Sequence, residues 1–66
     1  MKAYEVDIGA RIAIRGRTTT PPDSIDVQTN EELTVINLDG AYVSAKNQDN
    51  QTVYIHAWTD VELIKD

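Results

Sequence analysis

Cysteine is absent from the 66 residues, which excludes disulfides and thiolate metal sites. The single histidine, His56, cannot build a zinc site without several carboxylates converging on it, so neither a metal nor a cofactor is expected. Glycine is scarce, with three in all. Each reads as strand or turn punctuation, which leaves no glycine-rich phosphate loop. No nucleophile stands at recognisable spacing from a histidine and a third orienting group, so the chain is not expected to be an enzyme. No apolar run approaches transmembrane length, and the first seven residues hold no apolar core of signal-peptide length. No membrane association is expected. The lack of cysteine fits a reducing cytoplasm, where the chain is expected to reside. Basic residues are also few. Six lysines and arginines stand against eleven acids, for a net charge of −5. Phosphate binding is dominated by lysine and arginine, so only a local basic patch could serve nucleic acid.

The length implies one domain spanning residues 1–66. A chain this short buries little apolar surface and often needs a staple. With disulfides and metal excluded, oligomerisation is the staple left over.

What is present reads as short strands separated by turns. Tyr4, Val6 and Ile8 alternate with Glu5 and Asp7, predicting a half-buried strand. Gly9-Ala10 breaks it, and a second strand over residues 11–15 places Ile12 and Ile14 on one face. Residues 17–24 form a loop, because Pro21-Pro22 cannot sit inside a strand ladder. A short strand is expected over residues 24–29, then a tight turn at Asn30-Glu31. Residues 33–38 are strongly strand-forming, and Asp39-Gly40 signals a type I′ hairpin turn leading into residues 41–46. The polar turn at residues 47–51 precedes a strand over residues 52–56. One 3₁₀ turn at residues 57–60 leads into a last strand over residues 61–64. The expected architecture is all-β: a small, strongly bent, five-stranded open barrel. Src-homology-type barrels and the Sm fold share that layout, and periodicity does not separate them.

Residues 38–61 carry a resemblance. Leu38-Asp39, then Lys46-Asn47, the polar residues 48–51, and Val53-Tyr54-Ile55-His56-Ala57 resemble the Sm/Hfq family of ring-forming RNA-binding proteins without a gap. The resemblance implies a bent five-stranded sheet whose fourth strand pairs with the fifth of a neighbouring subunit. Such pairing closes a homo-oligomeric ring of about five to seven copies and hides edge strands. Val53, Ile55, Trp58, Val61 and Leu63 would form that interface, and single-stranded RNA would be the ligand. The chain departs from the family at Ala41, where a base-stacking group is usual, at Val43 in place of asparagine, and at Ile55 in place of lysine. Strands replace the family's N-terminal helix. His56 keeps the matching position.

Candidate RNA contacts are His56, Tyr42, Arg11, Arg15 and Arg17. The arginines share one strand face by period two, where a stripe of donors suits phosphate oxygens. The alternative is a solvated face paired with the abundant acids. Tyr42 could stack on a base, or Tyr42, Tyr54 and Trp58 could pack in core or interface. His56 could line a pore or bond a neighbouring subunit. Asp39 serves the turn itself. Asp23, Asp26, Glu31 and Glu32 cluster around the long loop, as a docking surface or as a solvated face.

Three functions follow. One is an Sm-like ring that binds single-stranded RNA as a chaperone or adaptor. The second is a Src-homology-type barrel that binds protein through its acidic loop. The third is a subunit of a structural or viral assembly, where the compact size fits a phage accessory protein.

Overall fold

The computed structural model describes residues 1–17, 20–22 and 24–64. Runs rich in β-branched residues take the extended conformation that suits them on a pleated surface. They form β1 (Arg11–Ile14), β2 (Glu32–Asp39), β3 (Tyr42–Lys46), β4 (Thr52–His56) and β5 (Val61–Leu63). All join one antiparallel sheet in the order β4-β3-β2-β1-β5. The protein is all-β, as its alternation predicts. The sheet is not closed into a barrel: β4 and β5 stand at its two ends.

One face of the sheet carries the core. Ile12, Ile14, Leu33, Val35, Val43, Ala45, Val53, Ile55 and Val61 belong to a single buried cluster. Val53 and Ile55 come from one end of the sheet and Val61 from the other, so the sheet curls over its own apolar face. A register shift between Val35 and Asn37 leaves Ile36 as a bulge in β2, and bulges bend the strand that holds them.

The hairpin between β2 and β3 differs in detail from expectation. Asp39 pairs with Tyr42, so the loop residues are Gly40 and Ala41. Gly40 takes φ +60°, and Ala41 is not among the residues with positive φ. Glycine at the first central position is the pattern of a type II′ turn, not the type I′ turn that Asp39-Gly40 suggests. Between β3 and β4, the Asn47 side-chain oxygen accepts the backbone N–H groups of Asp49 (3.0 Å) and Gln51 (2.9 Å).

Two expected strands are absent. Residues 3–5 form a 3₁₀ turn, Ala3–Glu5, where a strand over residues 4–8 is predicted. The Lys2 N–H donates to the Glu5 carboxylate at 2.7 Å, and the Ala3 and Tyr4 N–H groups donate to the carbonyls of Thr59 (2.9 Å) and Ala57 (3.0 Å). Burial therefore runs with period three, through Ala3 and Val6, while Tyr4 and Ile8 face solvent. Residues 24–29 hold no strand either. β1 already has β2 and β5 on its two sides, so no edge is left there. Val27 packs partly against the core and Ile25 is exposed.

Replacing Ile12, which is 0 % exposed, should destabilise the fold far more than replacing Ile8, which is 62 % exposed. In urea denaturation, Ile12→Ala is expected to lose about 2–5 kcal/mol. Ile8→Ala is expected to stay within about 0.5 kcal/mol of the parent.

Candidate binding surfaces

The face of the sheet opposite the core is polar, and strand register determines what meets on it. Glu32 of β2 and Glu62 of β5 flank Ala13 of β1. Arg11 lies level with Thr34, and Thr34 with Lys46. Arg11 Nη2 donates to Glu32 Oε1 at 2.9 Å. Arg15 places both Nε and Nη2 2.7 Å from Glu62 Oε2, and its Nη1 donates to Asn30 Oδ1 at 2.6 Å. These pairs are half exposed and contribute at most about 1 kcal/mol each to stability. Their chemical consequence is larger, because a phosphate at Arg11 or Arg15 must compete with a carboxylate already in place. Arg17 lies beyond the end of β1 and is exposed. Among the described residues no carboxylate is within ion-pair distance of it.

Farther along the same face stand the aromatic candidates. Tyr42 pairs with His56 across β3 and β4, and Ser44 pairs with Tyr54. The Tyr42 and His56 rings meet edge to face, with centroids 6.0 Å apart. His56 Nδ1 accepts the backbone N–H of Trp58 at 3.2 Å, so it orients the turn after β4. A shallow pocket at the other end of β3 is lined by Arg11, Thr34, Lys46 and Asn47, with Glu32 beside them.

A second surface lies at the N-terminal turn. The Tyr4 and Trp58 rings lie 4.8 Å apart, tilted by 59°. Burial does not explain the pair, since Tyr4 is 46 % and Trp58 61 % exposed. The Tyr4 N–H bond to the Ala57 carbonyl brings the two rings together. Beside them Lys2 Nζ donates to Asp60 Oδ1 at 2.6 Å. That hydrogen bond, and then the charge of Lys2, hold the Asp60 carboxyl below its ordinary value of 3.8, with the N-terminal amine adding to the effect and burial opposing it.

The residues expected at a subunit interface separate into two groups. Val53 and Ile55 are 0 % exposed and Val61 2 %, all within the chain's own core. Trp58 and Leu63 are exposed. Of the acidic loop cluster, Asp23 lies outside the described residues. Glu32 is engaged with Arg11, and the Glu31 carboxylate accepts the Gln28 N–H at 3.1 Å. Among the described residues no group of histidine and carboxylates could hold a metal ion, and no helix is long and apolar enough to cross a membrane. Tyr4 is the surface residue that strand periodicity misses. The signal for it is the spacing of Ala3 and Val6, which puts Tyr4 outside.

Asp60 gains its proton at lower pH when folded than when unfolded, so its ion pair with Lys2 stabilises the fold above the ordinary carboxylate value. That contribution should fade as pH falls through the lowered one. In an NMR titration, Lys2→Ala is expected to move the Asp60 pKa up toward 3.8. An unmoved Asp60 would show that Lys2 is not its partner in solution.

No protein-family model matches the chain, and neither does any curated protein or solved structure.

Proposed function

We propose that the chain is a non-catalytic protein-interaction module with a Src-homology-type barrel topology, and that Tyr4 and Trp58 anchor its partner. The carrying observation is the tilted Tyr4–Trp58 pair held open to solvent by backbone hydrogen bonds. Rigid exposed aromatics of this kind are typical anchors of protein contacts. The strand order, and the long segment over residues 15–31 between β1 and β2, support the topology. The charge points to the partner's chemistry. The chain carries −5, Glu5 follows Tyr4 in the N-terminal turn, and Arg11 and Arg15 are met by glutamates. A partner segment that is apolar at its centre and basic at its flanks complements such a surface.

The second reading is an Sm-like ring that binds single-stranded RNA. It is favoured by the shared outer face of Tyr42, Tyr54 and His56, a potential stacking platform. Lys46 and Arg11 stand at the far end of that face.

Selection from a displayed peptide library should separate the two. Enriched peptides are expected to combine basic and apolar residues and to change Trp58 fluorescence. Trp58→Ala should weaken them about tenfold or more, while Tyr42→Ala should leave them within about twofold, as a residue outside the contact does. The protein reading fails if no peptide enriches while a labelled oligonucleotide binds at physiological salt and depends on Tyr42 but not on Trp58.

A further inference from the structure

The two ends of the sheet are not equivalent. At the β5 end, the Val61 N–H donates to the Met1 carbonyl at 2.8 Å, and the Met1 amine donates to the Val61 carbonyl at 3.2 Å. Lys2 forms a bridge with Asp60 just before β5. The outer side of that strand is therefore occupied where it begins.

The β4 end is open. Ala57 N–H donates inward to the Ala41 carbonyl at 2.8 Å. By the alternation of an antiparallel ladder, Val53 and Ile55 also face β3 with their backbone groups, while Thr52 and Tyr54 turn theirs outward. Among the described residues, no backbone hydrogen bond engages Thr52 or Tyr54 on that side. β4 also lacks the usual guards of an edge: it holds no proline, lysine, acid or bulge. Its residues Thr52, Val53, Tyr54, Ile55 and His56 include no acid, so the strand opposes no carboxylates to a copy of itself although the chain is strongly acidic.

We propose that β4 is a self-pairing edge. Two copies of this chain join β4 to β4 antiparallel about a twofold axis at Tyr54, so that one sheet runs through both. Tyr54 of each copy exchanges a reciprocal pair of backbone hydrogen bonds with its equivalent, and Thr52 lies opposite His56. The Tyr54 side chains meet on the outer face, where each is now 39 % exposed. Val53 and Ile55 remain in their own cores. This arrangement differs from a ring built by pairing β4 with β5, where Met1 already occupies the start of β5. It does not depend on which ligand the chain binds.

Sedimentation equilibrium of the full chain across a concentration series tests this. The expected mass rises from 7.4 kDa to twice that value, and the Tyr54 amide gains protection from hydrogen exchange in step with the dimer. Tyr54→Pro removes the outward N–H, which edge strands tolerate, and should give a folded monomer. Should that variant fail to fold, Tyr54→Lys decides. It keeps the backbone, sets two cations opposite each other, and should raise the dimer dissociation constant about tenfold or more, while Tyr54→Val keeps the dimer. The proposal is overturned by a chain that stays monomeric at millimolar concentration. A dimer indifferent to Tyr54→Lys, or a mass near six chains, would overturn it too. Trp58→Ala should leave the dimer intact, so this outcome and that of the peptide selection are read independently.

Discussion

The bonds from the Ala3 and Tyr4 N–H groups to the carbonyls of Thr59 and Ala57 tie the start of the chain to the link between β4 and β5. A curled sheet of this size has a gap between its two ends, and the N-terminal turn is placed there. Ala3 and Val6 then complete the core from that side. The same contact puts Met1 against Val61 and Lys2 against Asp60. It also lays the Tyr4 ring on Trp58. The apolar closure, the capped edge and the exposed aromatic pair are thus one structural event seen from three sides.

That dependence explains which parts of the fold are legible from residue order and which are not. β2, β3 and β4 follow from alternation, because Leu33, Val35, Val43, Val53 and Ile55 mark one face and the Gly40 region marks the turn. The N-terminal segment misleads because Tyr4, Val6 and Ile8 fit period two while Ala3 and Val6 fit period three. Only the distant carbonyls of Ala57 and Thr59 decide between them. The arginines show a similar limit. Period two places Arg11 and Arg15 on one face, but which acid meets each depends on the register of β1 with β2 and β5. The type of the hairpin turn likewise rests on the pairing of Asp39 with Tyr42, which the dipeptide does not reveal.

Charge placement bears on ligand choice more than net charge alone. An acidic chain can still bind nucleic acid if its cations are clustered and unopposed. Here Arg11 and Arg15 face Glu32 and Glu62 directly, so phosphate gains little over the carboxylates it would displace. An aromatic contact pays no such penalty. Tyr4 and Trp58 lose water on binding and leave no charge unpaired, and the chain's net negative charge adds attraction for a basic partner at longer range. The balance between the two exposed aromatic sets therefore turns on their surroundings. Tyr42 and Tyr54 share a face with the Arg11–Glu32 and Arg15–Glu62 pairs, whereas beside Tyr4 and Trp58 the Lys2–Asp60 pair is joined by the Glu5 carboxylate, which accepts the Lys2 N–H.

Edge asymmetry carries the last consequence of the N-terminal contact. A sheet with two open edges can add copies head to tail, closing a ring when the rotation allows and growing into fibres when it does not. Met1 on Val61 obstructs the start of β5 as a heterologous partner for β4. The pairing proposed for β4 is with another β4, and that pairing is isologous. It consumes the free edge of both copies at once, so association ends at two. A small sheet that cannot guard β4 with lysine or proline can in this way satisfy the edge without offering a template for unlimited growth.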